Sequence, residues 1–342
     1  MPRPIIVLIV TLTILVPAAP VVGEETQDSI VVDGTLHSPD EIFRLLERSE
    51  LAYVIRMTDT LEQIIGKPER LVLDPWLLVA DDEGNAAVAQ YEFSDSILAA
   101  LKAGDLDYKN GRYQSAAAHY RRAHELSPNS SPPLTYLGNT YYMAGQFDSA
   151  RVILNRALER NPDDYQALWF LAETYWELDS LEAAWRTMCR AHLMNRNHEE
   201  IRKSIAQLRA DMGDAWEYFE FTPHYQVYAD STDTTTIHIL TDNESLGYAM
   251  VKALWRFEPG YTERMAPGAH FLGPFNMLEE REALVMSIAY MDDNVPIEEI
   301  IDEGFIDAFI LYEVVGPIEP RLLMILSEET LSHLTDYIDR YH

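Results

Sequence analysis

A fixed internal period of 34 residues constrains this chain more than any other feature. One pattern of small, apolar and aromatic residues recurs three times between Ile97 and His198. The first copy carries Gly104, Gly111, Tyr113, Ala116, Tyr120, Ala123 and Pro128, and the second carries Gly138, Gly145, Phe147, Ala150, Leu154, Ala157 and Pro162. The third has Ala172, Asp179, Leu181, Ala184, Met188 and Ala191, with Arg196 in place of the proline. Such a period predicts stacked helical hairpins, because one hairpin cannot bury its apolar face alone.

The small residues of the pattern fall where two helices of a hairpin would cross. Gly138 opposite Ala150 and Ala157 allows close packing, with larger apolar side chains filling the space around them. An ordinary helical bundle would have to match seven positions of consecutive copies by accident. The pattern resembles the tetratricopeptide repeat (TPR), a 34-residue helix-turn-helix unit. The resemblance covers residues 97–198, about a third of the chain, and implies a mainly α fold built around three TPR repeats.

The TPR resemblance implies a concave groove lined by the first helix of each repeat. At the family's ligand-contacting positions, the residues predicted to contact a partner are Tyr108, Tyr136, Asn139, Tyr142, Gln166, Trp169, Phe170, Glu173 and Trp176. Aromatic side chains suit peptide recognition because they offer a large apolar area at a low entropic cost. An alternative is that Trp169, Phe170 and Trp176 pack against another part of this chain.

TPR arrays that grip the C-terminal carboxylate of a chaperone use lysine, asparagine and arginine side chains at set positions. This chain has Leu101, Asp105, Tyr136, Gln166 and Phe170 there. The resemblance therefore implies a protein or peptide partner without a carboxylate-clamp chaperone tail, and it favours an apolar, aromatic or mildly basic segment. No cofactor is predicted.

Charge is distributed unevenly along the chain. The formal net charge of −30 argues against a nucleic-acid partner and against anionic membranes. Residues 97–210 have 14 basic and 13 acidic residues, whereas 24–96 have 5 and 17, and 211–342 have 6 and 26. A near-neutral array between acidic flanks raises the hypothesis that the C-terminal domain itself occupies the groove. The single cysteine, Cys189, excludes an intrachain disulfide and is interpreted as a small buried apolar residue.

The N-terminus has the pattern of an export signal. Arg3 precedes an apolar run from Ile5 to Val16 and the sequence Pro17-Ala18-Ala19-Pro20. Residues 1–23 are predicted to be a cleaved signal peptide and 24–37 a flexible leader, so the mature protein would be periplasmic or secreted. The alternative is an uncleaved N-terminal membrane anchor, since the apolar stretch is near the lower length limit for crossing a bilayer.

Residues 38–96 are predicted to be an N-terminal helical region. Ser38-Pro39-Asp40-Glu41 is a capping box, and the apolar residues Ile42, Leu45, Leu46, Leu51, Val54 and Ile55 follow at helical spacing. Residues 61–65 form a second apolar stretch, 71–79 fit either a strand or a buried helix, and 81–85 have the composition of a turn. These helices are candidates for an N-terminal cap on the array.

The array is followed by a predicted capping helix and linker, residues 199–222, and an acidic, α-rich C-terminal domain, residues 223–342. The stretches 224–229 and 237–240 alternate like strands and predict a short β-hairpin. Helices are expected to begin near Asp242 and at Asn276, to run from Ile297 to Val315, and to begin again at Ser327.

Residues 221–228 resemble the first strand of metallopeptidase-like domains that follow some TPR arrays. The paired histidines and glutamate of a zinc peptidase are missing, so we predict no catalytic or metal-binding residues and no enzyme activity. The densest carboxylates are Glu279, Glu280, Glu282, Asp292, Asp293, Glu298, Glu299, Asp302 and Glu303. We interpret them as a solvated acidic surface, although an acid and base pair or a cation site could lie among them.

The sequence therefore predicts an exported, non-catalytic TPR scaffold or adaptor that binds a protein or peptide in its groove. The alternative function is a catalytically dead or divergent metallopeptidase-like domain that the repeats recruit to its substrates.

Overall fold

Three helical hairpins occupy the middle of the chain. The computed structural model describes residues 36–58, 76–80, 86–216, 221–266, 271–272, 275–288 and 297–342. The predicted signal peptide, most of the leader, the apolar stretch 61–65 and the turn 81–85 lie outside these ranges. The first repeat comprises α2 (Asp95–Lys109) and α3 (Tyr113–Leu126), the second α4 (Pro132–Met143) and α5 (Phe147–Leu158), and the third α6 (Tyr165–Glu177) and α7 (Leu181–Met194). The mainly α repeat solenoid is confirmed.

Glycine sets the distance between the two helices of a hairpin. A Cβ atom at Gly138 would come within 2.5 Å of Leu154 Cγ, and one at Gly104 within 2.5 Å of the Tyr120 ring. Gly138 therefore lies at the helix crossing, as predicted, but the side chain it admits is that of Leu154 and not the small Ala150 or Ala157. The turn between the helices needs a positive φ, which is 71° at Gly111 and 70° at Gly145.

The array ends in the predicted capping helix, α8 (Glu199–Asp211). His198 caps its N-terminus, with a side chain that accepts a hydrogen bond from the Ile201 amide. Ile201, Ile205 and Leu208 recur at helical spacing and are completely buried against α7 and the core beyond it. The helix extends the stack by one element, as predicted.

The N-terminal region departs from the predicted all-helical structure. Helix α1 (Pro39–Arg48) has the predicted capping box, but strand β1 (Ala52–Met57) follows where the apolar spacing predicted more helix. Val54 and Ile55 are β-branched residues, which favour strands. A partner strand distant in sequence decides the outcome, since Ala52 pairs with Thr236 and Met57 with Thr241. Strands β2 (Trp76–Ala80) and β3 (Ala86–Gln90) form a separate antiparallel hairpin.

The C-terminal domain combines a three-stranded sheet with short helices. Strands β4 (Tyr225–Ala229) and β5 (Thr236–Thr241) form the predicted hairpin, and the strand order β1-β5-β4 makes β5 central. Two longer helices, α9 (Leu246–Phe257) and α11 (Met277–Ser287), pack against each other, and α9 covers the sheet. Between them lie α10 (Tyr261–Met265), β6 (Phe271–Leu272) and β7 (Phe275–Asn276).

The end of the chain contains several distinct helical segments. These are α12 (Ile297–Asp302), α13 (Ile306–Phe309), a π-helical segment (Ile310–Val315), α14 (Gly316–Ile318), a 3₁₀ helix (Pro320–Ile325) and α15 (Glu328–Tyr341). The predicted continuous helix from Ile297 to Val315 is interrupted at Gly304, where φ is 82°. The predicted start of the last helix is confirmed, because the Ser327 side chain accepts a hydrogen bond from the Thr330 amide.

Helix α1 belongs to the core of the C-terminal domain and does not cap the array. Ile42 has no exposed surface and packs in the same apolar cluster as α9. His37 Nδ1 lies 2.8 Å from Glu282 Oε1, and the Ser49 and Tyr53 hydroxyls donate to Glu258 Oε2 at 2.6 and 3.0 Å. The domain is thus assembled from two parts of the chain, with the repeat array between them in sequence.

The C-terminal domain packs against the second helix of the third repeat. Helix α7 contacts the 3₁₀ helix and α15, and Met188 and Leu193 of α7 share one buried cluster with Leu322 and Leu331. Arg190 forms an ion pair of 2.9 Å with Glu328, and Arg209 of α8 forms one of 2.9 Å with Asp339. Cys189 is completely buried in this cluster, as predicted, and burial raises the pKa of its thiol.

Candidate functional site

The first helices α2, α4 and α6 carry the nine predicted groove residues. Four of them join neighbouring repeats by side-chain hydrogen bonds. Asn139 Nδ2 donates to the Tyr108 hydroxyl at 3.1 Å, and the Tyr142 hydroxyl donates to Glu173 Oε2 at 3.4 Å. All four side chains are half-buried and retain exposed surface. The 34-residue spacing therefore places these side chains of neighbouring repeats within hydrogen-bond distance of each other.

Glu173 is the most connected of the predicted groove residues. Its Oε1 accepts hydrogen bonds from Trp169 Nε1, one helical turn earlier, at 3.0 Å and from the Ser204 hydroxyl of α8 at 2.6 Å. Trp169 also lies against His198, with ring centroids 5.3 Å apart. The sequence analysis does not identify Ser204 as a contact of this site. The residue could be found by reading α8 as the first helix of a further, incomplete repeat, because Ser204 then falls at a ligand-contacting position.

The other predicted residues have contacts mainly within the chain. Tyr136 packs against Tyr120 with ring centroids 5.6 Å apart, and Phe170 stacks on Trp169 at 5.2 Å. Trp176 packs at the edge of the main apolar cluster. Gln166 Nε2 donates to the Tyr165 hydroxyl at 3.3 Å, and its buried Oε1 has no partner among the residues that the structure describes.

Electrostatics in the groove follow from the carboxylates near its tyrosines. Burial first, and then the charges of Glu173 and Glu177, together raise the pKa of Tyr142 to about 12. Burial also raises the pKa of Tyr108. Both hydroxyls are therefore neutral near pH 7 and act as hydrogen-bond donors or acceptors.

A buried carboxylate joins the second repeat to the third. Asp164 precedes α6 and accepts hydrogen bonds from the Gln166 and Ala167 amides, a capping role that its position makes readable from the sequence. Its Oδ2 also accepts from the Ser131 hydroxyl at 2.6 Å and the Thr135 hydroxyl at 2.8 Å. Burial raises the pKa of Asp164. These contacts are structural, since Ser131, Thr135 and Asp164 are all at most 1% exposed.

A second buried polar cluster lies between the third repeat and the C-terminal domain. Arg196 is 2% exposed, pairs with Glu313 Oε2 at 3.3 Å, and has its guanidinium 4.0 Å from the centre of the Tyr312 ring. His342 Nε2 lies 3.0 Å from the other Glu313 oxygen, and His192 Nε2 lies 2.9 Å from the Tyr312 hydroxyl. The signal in the sequence was Arg196 itself, which replaces the proline of the repeat pattern.

The interpretation of the α11 carboxylates as a solvated surface is wrong for two of them. Glu282 has no exposed surface and accepts hydrogen bonds from Trp255 Nε1 at 2.7 Å and the Tyr261 hydroxyl at 2.9 Å. Glu280 is 3% exposed and binds Lys252 and the Tyr248 hydroxyl. They are buried because α11 packs against α9, which supplies cationic and neutral donors.

Within the described part of the chain, no group of three or more histidine, cysteine, aspartate or glutamate side chains is placed to hold a metal ion. No helix in the same part of the chain is both long and apolar enough to cross a membrane.

Comparisons with known proteins identify the repeats. A family model described as tetratricopeptide repeat matches residues 107–169 and 144–208. No curated protein matches the chain. One similar solved structure, the first TPR of Spaghetti (RPAP3) bound to an HSP90 peptide, has 20% identity, covers 36% of this chain and 100% of its own, and has a TM-score of 0.34.

Two other solved structures are similar to the same part of the chain. The TPR2B domain of yeast Sti1 in complex with an Hsp70 peptide has 16% identity, covers 35% of this chain and 98% of its own, and has a TM-score of 0.33. The Yersinia enterocolitica type III secretion chaperone SycD, in complex with a peptide of the translocator YopD, has 17% identity, covers 35% and 92%, and has a TM-score of 0.32. The family match and the helical hairpins together show that the central array consists of tetratricopeptide repeats, while the comparisons leave the C-terminal domain unidentified.

Proposed function

We propose that this chain is an exported scaffold or adaptor that binds a protein or peptide segment in the concave groove of its TPR array. The observation that carries the proposal is the contrast between two sides of the third repeat. Its second helix, α7, is covered by the 3₁₀ helix and α15, whereas Glu173 and Trp176 on its first helix are only half-buried.

The surface of the groove supports this role. Tyr108, Asn139, Tyr142 and Glu173 are held in place by one another, so a partner would meet side chains that are already ordered. Ordered contact residues reduce the entropic cost of association. Met143, beside Tyr142, is 47% exposed and adds adaptable apolar surface. The C-terminal domain, fixed to α7, would then hold the array in one orientation relative to a second surface.

Site-specific photo-crosslinking in the native host tests the groove directly. A photoreactive phenylalanine analogue at Tyr142 should form adducts with a discrete protein. The same analogue at Val152, which is 53% exposed on the second helix of the second repeat, is the matched control. Equal adducts at both positions, or none at Tyr142, would remove the groove from the proposal.

Export is a separate part of the proposal and rests on the sequence of residues 1–23. N-terminal sequencing of the mature protein, together with fractionation of the host cell, tests it. A mature chain beginning near Glu24 in the periplasm or the medium supports export, while an intact N-terminus in the cytoplasm contradicts it. An intact N-terminus in the membrane fraction would favour the anchor instead.

A further inference from the structure

The Glu173 carboxylate is held in a fixed orientation by neutral groups. Trp169 Nε1 and the Ser204 hydroxyl both donate to its Oε1, and Tyr142 donates to its Oε2 at the longer distance of 3.4 Å. A carboxylate offers about four acceptor positions, so the donors leave capacity on Oε2. Of the two Glu173 oxygens, Oε1 therefore accepts two hydrogen bonds, while Oε2 accepts one long hydrogen bond and can accept another.

The negative charge of Glu173 is not neutralised within the described part of the chain. No lysine, arginine or histidine there forms an ion pair with it, whereas the buried Glu280 and Glu313 have Lys252 and Arg196. Glu177, one helical turn along α6, adds a second carboxylate whose field also reaches the Tyr142 hydroxyl. Binding of a cation next to a half-buried carboxylate that has no counter-ion is favourable, because the attraction is less screened than in water.

Aromatic side chains lie beside this charge. Trp169 hydrogen-bonds to Glu173 through the edge of its indole ring, and Phe170 stacks on the same indole at 5.2 Å. Tyr142 contributes a neutral ring from the second repeat. A carboxylate next to aromatic rings suits the head of a lysine or arginine, which the carboxylate attracts, and its aliphatic stem, which packs on the rings.

We propose that the groove recognises one lysine or arginine side chain of the bound segment, with Glu173 Oε2 as the acceptor. The inference rests on the proposed function and specifies which partners the groove selects. It applies at one position of an extended segment, so the rest of the segment is free to be apolar, in keeping with the exposed Met143 and the half-buried Tyr108.

Peptide selection by the full chain tests the inference. The probes are three labelled pools of short degenerate peptides built from Ala, Leu, Phe and Ser, identical except for one central Lys, Gln or Glu. The intact protein should bind the Lys pool about tenfold more tightly than the Gln pool, because a hydrogen bond between two charged groups is stronger than one to a neutral amide. The Glu pool should bind most weakly.

Two variants with the same change in net charge distinguish the effect of the Glu173 carboxylate from the effect of the protein's overall charge on peptide binding. Glu173→Gln keeps an oxygen for Trp169 and Ser204 and should make the Lys and Gln pools bind equally. Glu182→Gln is the matched control, because Glu182 lies on α7 and its carboxylate is 79% exposed, paired with Arg186. It should leave the preference for lysine unchanged.

The outcomes distinguish the preference for a cationic side chain from peptide binding in the groove as such. Equal binding of the Lys and Gln pools to the intact protein overturns the cation inference and leaves groove binding standing. A lysine preference that survives in Glu173→Gln also overturns it, by assigning the preference to other charges. Failure of every pool to bind counts against both the inference and the groove itself.

Discussion

The repeat array and the C-terminal domain of this protein use opposite kinds of contact. In the array, each helix packs on its neighbours in sequence, as Gly138 does with Leu154. In the C-terminal domain, the central strand β5 pairs with β1 from before the array, and the buried Glu282 binds His37 from the same N-terminal part. The array can therefore form from local contacts, whereas the domain needs two distant parts of the chain to meet.

Separating the C-terminal domain from the N-terminal part of the chain should have the largest effect on its stability. A fragment of residues 221–342 should lack a cooperative unfolding transition, because it loses β1, the packing of Ile42 and a partner of Glu282. Circular dichroism during urea titration measures this. A fragment of residues 91–216 should keep its helical signal and unfold cooperatively, although it loses the cover on α7.

A linked fragment supplies the control for this experiment. Joining residues 36–58 to residue 221 through a long Gly/Ser linker should give a more cooperative transition than residues 221–342 alone, since the missing strand and helix are returned while the contacts with α7 are absent from both fragments. If the fragment without residues 36–58 unfolds as cooperatively as the linked one, the C-terminal domain does not depend on the N-terminal part.

The same contrast explains which features could be predicted from the sequence. The period predicts the repeats and the glycines at their helix crossings because those contacts recur every 34 residues. The end of α1 was mispredicted because β1 takes its structure from β5, which no local pattern shows. The burial of Glu282 could not be predicted, because the sequence around it is acidic. Its hydrogen-bond partners His37 and Trp255 lie in other parts of the chain. Arg196 was visible as a departure from the pattern, but its partner Glu313 was not.

The junction between array and domain depends on a buried ion pair, and breaking it gives the next largest effect. Arg196→Ala leaves the buried carboxylate of Glu313 without its guanidinium partner. Removing one member of such a pair costs about 3–5 kcal/mol. The urea midpoint of the full chain should fall accordingly.

Two further variants identify the cause of that loss. Arg186→Ala removes an arginine of α7 whose pair with Glu182 is exposed, and should change stability by at most about 0.5 kcal/mol. Arg196→Met combined with Glu313→Leu should recover part of the stability, since both charges of the pair are removed together, while His342 loses the hydrogen-bond partner that it has in Glu313. Equal midpoints for Arg196→Ala and Arg186→Ala would show that the buried pair does not stabilise the junction.

The smallest predicted effect concerns the turn inside each repeat. Asp179 has a φ of 56° at the position where the first two repeats have Gly111 and Gly145. The left-handed conformation costs an L-residue about 1–2 kcal/mol, less for aspartate, while glycine loses about 0.5–1 kcal/mol of extra entropy on folding. Asp179→Gly should therefore stabilise the chain by only about 0.5 kcal/mol.

The reverse change in the second repeat isolates the backbone effect. A Cβ atom at Gly145 would meet nothing within 4 Å, so Gly145→Asp adds no clash and changes only the cost of the positive φ. It should lower the free energy of unfolding by a similar amount, about 0.5 kcal/mol. If both variants shift the urea midpoint in the same direction, φ does not determine the residue at this turn, and the third repeat has aspartate there for another reason.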